Sequence, residues 1–187
     1  MEDKKWIEQI LAGDVQSFSC LIAKYETMVY TLAFRLMGNK EDAEEVTQDA
    51  FIKVYNALDK FKFESKFSTW LYRIVYRTAL TALRQQKIFV DYDEARPEEL
   101  TDDEMNSASF LLERNDRRET ITQVLSMLTP DESMLLTLFY LEECSIEDIR
   151  LITELTVSNI KVKLFRARKH FYEKLQQIIK TETISLL

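Results

Sequence analysis

A basic, aromatic stretch between Lys62 and Lys87 contains the residues with the clearest chemical role in this chain. Its sequence, KFESKFSTWLYRIVYRTALTALRQQK, holds six Lys or Arg and one acid. At helical spacing, one face of it would present Arg73, Tyr76, Arg77, Leu80 and Arg84. Guanidinium groups pair with phosphate oxygens, and rings stack on exposed bases, which stabilises each base by roughly 1–3 kcal/mol. This face predicts binding to single-stranded or opened nucleic acid rather than to closed duplex.

The aromatic residues around this face have two interpretations. Trp70 and Tyr72 lie near the apolar side of the predicted helix, where rings usually pack in a core. For Trp70 alone we favour core packing. The preceding loop adds Phe61, Phe63 and Phe67 to the face, and for this whole set we favour nucleic-acid binding.

A second basic segment, VSNIKVKLFRARKHFYEKLQQ, predicts a long helix from residue 157 to about 178. Its expected buried stripe is Val157, Ile160, Leu164, Ala167 and Phe171. The polar residues expected to project elsewhere include Ser158, Asn159, Lys161, Lys163 and Arg166. A short helix opened by Ser145 and a turn near 154–156 precede it, which is the pattern of a helix-turn-helix. In a major groove, the first positions would reach base edges and the later ones phosphates.

A predicted helix over residues 40–57 carries the paired carboxylates that could serve catalysis or metal binding. Its polar side holds Asp42, Glu45, Gln48, Asp49 and Lys53. No catalytic or metal-ligating residue converges with these carboxylates, because the sole histidine, His170, is remote and is expected to be a packing or surface residue. The sequence has no Gly-rich phosphate loop and no nucleophile signature. We therefore expect a protein-binding face here, no enzymatic activity, no cofactor and no metal.

Charge is distributed unevenly in a chain of 187 residues with net charge −7. Residues 61–90 and residues 161–187 each carry +5, whereas residues 91–120 carry −7 and residues 121–160 carry −6. At physiological salt the Debye length is about 8 Å, so a phosphate near a basic segment is affected mostly by that segment. The acidic remainder predicts weak nucleic-acid binding by the free protein.

The composition of the chain limits which fold class and which cellular compartment it can have. The chain is 46% apolar with only 2 Gly and 2 Pro, which favours helices with short connections. Cys20 and Cys144 match no metal or redox spacing, which indicates ordinary thiols in a reducing compartment. No apolar run is long enough to span a membrane, and the first ten residues are too charged for a signal peptide. We expect a cytoplasmic protein.

The predicted architecture is all-α, with two small helical domains joined by an acidic linker and a helix-turn-helix in the second. The first domain covers residues 1–90, with helix boundaries at Gly13-Asp14 and Gly38-Asn39, and Ser68 or Thr69 capping the next helix. The linker covers 91–113, and the second domain covers 114–187. In that domain, Thr129 followed by Pro130 predicts a helix start.

These segments resemble the extracytoplasmic-function (ECF) sigma factors, two-domain initiation subunits of bacterial RNA polymerase. The most specific pieces are DAEEVTQDAF and FSTWLYRI in the first domain. LTPDESMLLTLFYLEECSIEDI and VSNIKVKLFRARKHFYEKL resemble the second domain. The resemblance covers nearly the whole chain apart from the linker and the tail. It implies a promoter-specificity subunit whose partners are core polymerase, promoter DNA and commonly an anti-sigma factor, with no small-molecule substrate.

The resemblance also implies roles for particular residues. Docking on the clamp of the largest polymerase subunit is expected from Glu45, Gln48 and Asp49. Recognition and opening of the −10 promoter element are expected from Phe61, Phe63, Lys66, Phe67, Arg73, Tyr76 and Arg77. Recognition of the −35 element as duplex is expected from Ser158, Asn159, Lys161, Lys163 and Arg166. The acidic linker would run toward the active-site channel and the RNA exit path.

Three positions depart from the family pattern. Arg150 replaces a small residue, Glu154 replaces the Gly of the turn, and Thr156 replaces a Pro that often starts the recognition helix. We expect Arg150 to disturb the helix crossing, and Glu154 to cost about 1 kcal/mol in a left-handed turn.

Two other functions remain open at this point. The first is a free-standing helix-turn-helix regulator with an N-terminal interaction domain, against which the Arg73 and Tyr76 face argues. The second is an acidic-residue metal nuclease, which fits poorly because the carboxylates lack converging ligands.

Overall fold

The computed structural model is all-α in the residues that it describes, which are 2–90 and 114–185 with side chains defined for 2–86 and 119–179. These residues form eight α-helices. They are α1 (Glu2–Leu11), α2 (Ser17–Met37), α3 (Lys40–Ala57), α4 (Phe67–Val90), α5 (Arg114–Ser126), α6 (Pro130–Leu136), α7 (Ile146–Thr153) and α8 (Val157–Ser185). A 3-10 turn, Leu58–Lys60, follows α3, and a π-helical segment, Thr137–Leu141, follows α6. The predicted acidic linker, 91–113, lies outside the described residues.

The first domain packs α2, α3 and α4 around one apolar core, with α1 against α2. Val29, Val46 and Leu71 lie in this core and are at most 2% exposed. The predicted boundary between α2 and α3 is confirmed. Gly38 has a φ of 81°, and the Asn39 side chain accepts a hydrogen bond from the Asp42 backbone N–H at 2.9 Å. A residue that tolerates positive φ thus ends α2, and an N-cap side chain starts α3.

The start of α4 differs from the sequence expectation. The helix begins at Phe67, one or two residues before the predicted caps Ser68 and Thr69. Thr69 is 2% exposed, and its hydroxyl donates to Asp148 of the second domain at 2.9 Å. The hydroxyl predicted as a helix cap therefore makes a contact between domains.

Capping boxes set the second domain's helix starts, as predicted. The Thr129 backbone N–H and hydroxyl donate to the Glu132 carboxylate at 3.3 and 2.9 Å. At α7, the Asp148 N–H donates to Ser145 Oγ at 3.1 Å, and the Ser145 N–H donates back to Asp148 at 3.0 Å. The Ser145 box satisfies two backbone donors, and the Glu132 carboxylate satisfies the Thr129 N–H.

The helix-turn-helix consists of α7, a turn at residues 154–156, and α8. Glu154 occupies the left-handed region with a φ of 62°, where Gly would be unstrained. The Thr156 side chain accepts from the Asn159 N–H at 3.3 Å and so caps α8. The two departures are thus accommodated within the motif.

Two expectations for this motif were wrong. Arg150 is exposed, and its guanidinium lies 2.6 Å from Glu147 of the same helix, so it does not enter the helix crossing. Ile149 and Ile152 occupy the buried face instead. Val157, predicted to be buried, is 36% exposed, and Phe171 at the other end of the predicted stripe is half-buried. The buried residues of the stripe are Ile160, Leu164 and Ala167.

The two domains pack directly against each other. Helix α4 lies along α7, and α2 lies against α6. Buried residues of both domains, from Leu71 and Val75 to Leu135 and Ile149, belong to one continuous apolar cluster. The fold therefore presents the first domain's basic helix to the second domain.

Candidate nucleic-acid interface

The loop before α4 is built on a cluster of aromatic rings. The Phe61 ring centroid lies 4.7 Å from that of Phe63, 5.2 Å from Trp70 and 5.6 Å from Phe67. Phe61, Phe67 and Trp70 are 5–9% exposed, so they belong to the core. The core interpretation of Trp70 is thus supported. Phe61 and Phe67, expected at the DNA, lie beneath the surface and hold the loop in place.

Phe63 is the ring of this cluster that faces solvent. It is 44% exposed, and its φ of 59° lies in the left-handed region. That conformation costs a non-Gly residue roughly 1–2 kcal/mol, and for a bulky side chain it is a true outlier. The Lys4 ammonium lies 5.8 Å from the ring centroid. The backbone at Phe63 is thus strained, and it holds an accessible ring beside the Lys4 ammonium.

The predicted face of α4 is present, but the second domain partly covers it. Arg73 and Tyr76 are half-buried, and Arg77 is exposed. Burial raises the pKa of the Tyr76 hydroxyl, and the nearby carboxylates of Asp131 and Glu154 raise it further. The Arg77 guanidinium forms an ion pair with Glu154. The spacing of residues in the sequence predicted this face of α4. It did not predict that the carboxylates of Asp131 and Glu154 would lie against it.

A shallow groove of about 290 Å³ runs beside this face, between α3 and α4. It is lined by Lys53, Ala57, Ile74, Arg77, Thr78 and Thr81. The Lys53 ammonium donates to the Thr78 hydroxyl at 3.3 Å. Lys53, assigned from sequence to the acidic side of α3, therefore also adds positive charge beside Arg77.

The outer side of α3 is open to solvent. Glu45, Gln48 and Asp49 are exposed, opposite the buried stripe that begins at Ala43. Ile52 lies on the same side and is 59% exposed. Ile52 was not predicted from the sequence as part of this surface, although its position three residues after Asp49 places it there.

The predicted duplex-binding residues lie along the first turns of α8. Ser158, Asn159, Lys161 and Arg166 are exposed. The Lys163 ammonium lies 3.0 Å from Asp131 of α6 and is partly covered. Phe165, which was not among the predicted residues, is 66% exposed between these polar residues. The helix thus presents polar, basic and aromatic side chains together.

The described residues contain no group of three or more His, Cys, Asp or Glu arranged to hold a metal ion. His170 Nδ1 lies 2.6 Å from Glu132. Burial favours the protonated form of Glu132, but hydrogen bonds from Thr129 and His170 outweigh burial and lower its pKa.

Within the described part of the chain, no helix is long and apolar enough to cross a membrane.

Two family matches divide the chain at the same place as the fold. Sigma-70 region 2 matches residues 21–88, and sigma-70 region 4 matches residues 118–171. The chain is 30% identical to the ECF RNA polymerase sigma factor SigW of Bacillus subtilis, over 94% of this chain and 97% of that protein. It is 31% identical to the ECF RNA polymerase sigma-E factor of Escherichia coli, over 96% of this chain and 97% of that protein.

Two solved structures share the fold. The sigma factor RpoE of Bartonella quintana, in complex with the anti-sigma factor NepR, has a TM-score of 0.70 at 23% identity, covering 87% of this chain and 98% of that one. CnrH, in complex with the cytosolic domain of CnrY, has a TM-score of 0.62 at 20% identity, covering 97% and 99%.

A helical domain with a basic aromatic face, followed by a helix-turn-helix domain, defines a promoter-recognition protein of the sigma-70 class. The chain belongs to the ECF sigma factor family. It is a promoter-specificity subunit of RNA polymerase that directs transcription initiation, and the free-standing regulator is not favoured. Proteins of this class are initiation factors rather than enzymes.

Proposed function

We propose that residues 1–90 bind core polymerase and open the −10 element, and that residues 114–187 recognise the −35 element as duplex. The observation that supports this most directly is Phe63, an exposed, strained ring at the edge of a buried aromatic cluster. Backbone strain of this kind is found preferentially at binding sites. A base released from the stack would lie on this ring, with Lys66 close by and the Arg73 and Arg77 face beyond.

Each of the other two surfaces has a separate task in this proposal. The outer side of α3, with Glu45, Gln48 and Asp49, docks on the clamp of the largest polymerase subunit. The first turns of α8 enter the major groove, and Ser158 and Asn159 lie nearest the base edges. Arg150 pairs with Glu147 of its own helix and does not enter the crossing of α7 and α8. The segment 91–113 joins the two domains.

We extend the proposal to location and control. The protein acts in the cytoplasm, where RNA polymerase is found. RpoE and CnrH, which share its fold, were solved bound to NepR and to the cytosolic domain of CnrY respectively. We propose that an anti-sigma factor binds this chain as well.

Run-off transcription tests the proposed function. Core polymerase from a related bacterium, mixed with the purified chain and fragmented genomic DNA, is expected to yield transcripts with defined starts. The free protein is expected to bind the same promoters weakly at physiological salt, since the body of the chain is acidic. Failure to associate with core, or tight promoter binding without core, would contradict the proposal.

The proposed duplex contacts predict a change in salt dependence. Arg166→Ala is expected to reduce the slope of log K against log salt by about 0.9, which corresponds to one phosphate contact. Lys163→Ala is expected to have a similar or smaller effect, because Lys163 must first leave Asp131. Binding of the full chain to duplex DNA at several salt concentrations measures both slopes. Lys174→Ala, about two turns beyond Arg166 on α8, is the control. Equal slopes in all variants would place these side chains away from DNA.

A further inference from the structure

The first helix, α1, places a lysine beside the exposed ring of the loop before α4. The Lys4 ammonium lies 5.8 Å from the centroid of the Phe63 ring. Both groups are accessible, since Phe63 is 44% exposed and the Lys4 side chain is 66% exposed. The match to sigma-70 region 2 begins at residue 21, so α1 precedes the matched segment. The ring proposed to stack a base therefore has a cation next to it from a helix that none of the roles above includes.

Helix α1 is held in place by its buried side. Ile7 and Ile10 are 0% and 8% exposed and belong to the core of the first domain. The helix packs against α2 and against the 3-10 turn that precedes the Phe63 loop. Because two buried isoleucines at helical spacing fix the rotation of α1 about its axis, they also fix the side on which Lys4 projects.

Polar contacts anchor the start of α1 a second time. The Asp3 carboxylate accepts hydrogen bonds from the Lys24 ammonium at 2.5 Å and from the Tyr25 hydroxyl at 2.8 Å. Burial raises the pKa of the Tyr25 hydroxyl, and its hydrogen bond to Asp3 raises it further, so Tyr25 stays a donor. The Lys24 ammonium also lies 5.7 Å from the centroid of the Trp6 ring. Since Asp3 is the immediate neighbour of Lys4, the backbone that carries Lys4 is tied to α2.

The Lys4 ammonium itself is held only weakly. Its nitrogen lies 3.8 Å from a Glu8 carboxylate oxygen, and the two side chains are 66% and 61% exposed. Exposed ion pairs at this distance contribute little free energy, and so does a cation beside an exposed ring. Asp3, the other nearby acid, is already bound by α2. Lys4 is therefore available to an anion that arrives at Phe63.

A nucleotide stacked on Phe63 would bring such an anion. Stacking engages the base and leaves the adjoining phosphate charged. Proteins that bind single strands combine rings that stack on bases with cations that follow the sugar-phosphate backbone. Lys62 and Lys66 supply exposed cations from the loop itself. Lys4 adds one from a separate helix that is fixed on the core.

We propose that Lys4 is a DNA-binding residue that contacts the phosphate of the nucleotide stacked on Phe63, so that α1 forms part of the site for opened DNA. This inference rests on the proposed stacking role of Phe63. When DNA binds, the ammonium moves from the ring to the phosphate. Lys5 projects from nearly the opposite side of α1 to Ile7, at about 100° per residue, and takes no part.

The test measures how salt affects promoter opening by polymerase that contains Lys4→Met. Methionine keeps an unbranched stem beside the ring and removes the charge. Permanganate reactivity of thymines, at a promoter mapped by run-off transcription, gives the fraction of open complexes. We expect the slope of log K for opening against log salt to fall by about 0.7, the value for one phosphate contact to a single strand. The deficit of the variant should therefore shrink about threefold between about 50 and 200 mM salt. A lysine that only packed on the ring would leave the slope unchanged.

Two other variants serve as controls. Lys5→Met removes the same charge from the same helix, and Lys4→Arg keeps the charge at the proposed contact. Both should have the slope of the unmodified chain, and equal binding of all variants to core polymerase verifies their folding. An unchanged slope with Lys4→Met, an equal fall with Lys5→Met, or better opening with Lys4→Met would overturn the inference.

Phe63→Ala in the same assay separates this inference from the proposed function. If Phe63→Ala opens the promoter poorly while Lys4→Met behaves as the unmodified chain does, base stacking stands and the Lys4 contact is wrong. If Phe63→Ala opens the promoter normally, the stacking role is wrong and the Lys4 contact is overturned with it. Adding Lys4→Met to Phe63→Ala should change the slope no further, because the phosphate is no longer held near α1. A further fall would place Lys4 on a different nucleotide and overturn the contact.

Discussion

Replacing Gln48 and Asp49 by Ala together is expected to weaken association with core RNA polymerase by about 30-fold or more. Losses of this size occur when residues at the centre of an interface are truncated. Both side chains are exposed, whereas Ala43, Val46 and Ala50 hold α3 in the core. The helix should therefore remain intact. Fluorescence anisotropy of the labelled chain titrated with core measures the loss, and far-UV circular dichroism checks the helical content.

A control of equal charge separates this surface from general electrostatics. Glu8→Ala on α1 also removes one negative charge from an exposed side chain, which lies 3.8 Å from Lys4. It is expected to leave core binding unchanged. If the double variant still binds core as the unmodified chain does, the outer side of α3 is not the docking surface.

The same α3 surface illustrates what local sequence patterns predict well. The apolar stripe fixes which side of the helix is buried, so the opposite side follows by geometry. Helix ends were predicted equally well at Gly38 and Asn39, and at the two capping boxes. In each case the determining atoms lie within a few residues of one another along the chain. Local chemistry decides these features, and the sequence displays it directly.

Features decided by distant contacts were not predictable in this way. Periodicity placed Thr69 correctly on a helix but could not indicate that Asp148 would bind its hydroxyl. The loop rings gave a similar result, because Phe61, Phe63 and Phe67 are equivalent by type and only packing reveals that Phe63 alone is exposed. The covering of Arg77 by Glu154 depends on how two domains meet. Tertiary packing therefore refined the candidate site more than it altered the fold.

The distribution of charge depends both on local sequence and on contacts between distant residues. The sequence showed two basic segments in an acidic chain and predicted that free DNA binding would be weak. Part of that acidity lies directly against α4, at Glu142, Asp148 and Glu154. Added salt weakens contacts at this short range less than it weakens the long-range repulsion between DNA and the net charge of the chain.

Truncating Phe63 is expected to reduce promoter opening strongly. Loss of one base–aromatic stack costs about 1–3 kcal/mol, which corresponds to roughly 5- to 150-fold fewer open complexes. Phe63→Ala removes the ring and leaves the buried part of the cluster, Phe61, Phe67 and Trp70, in place. Permanganate reactivity of thymines, at a promoter mapped by run-off transcription, measures opening by the polymerase that contains the variant. Phe63→Tyr keeps the ring and should open the promoter nearly as well as the unmodified chain.

Comparing Phe63→Gly with Phe63→Ala separates the ring from the backbone strain. Both lack the ring, so both should open the promoter equally poorly. Because residue 63 has a φ of 59°, Gly should be more stable than Ala there by about 1 kcal/mol in the free energy of unfolding. This is the reverse of their usual order, since Gly ordinarily loses more backbone entropy on folding. Greater stability with Gly and equal loss of opening would show that the loop bears strain to present a ring to DNA. Normal opening in either variant would show that the bases do not stack on Phe63.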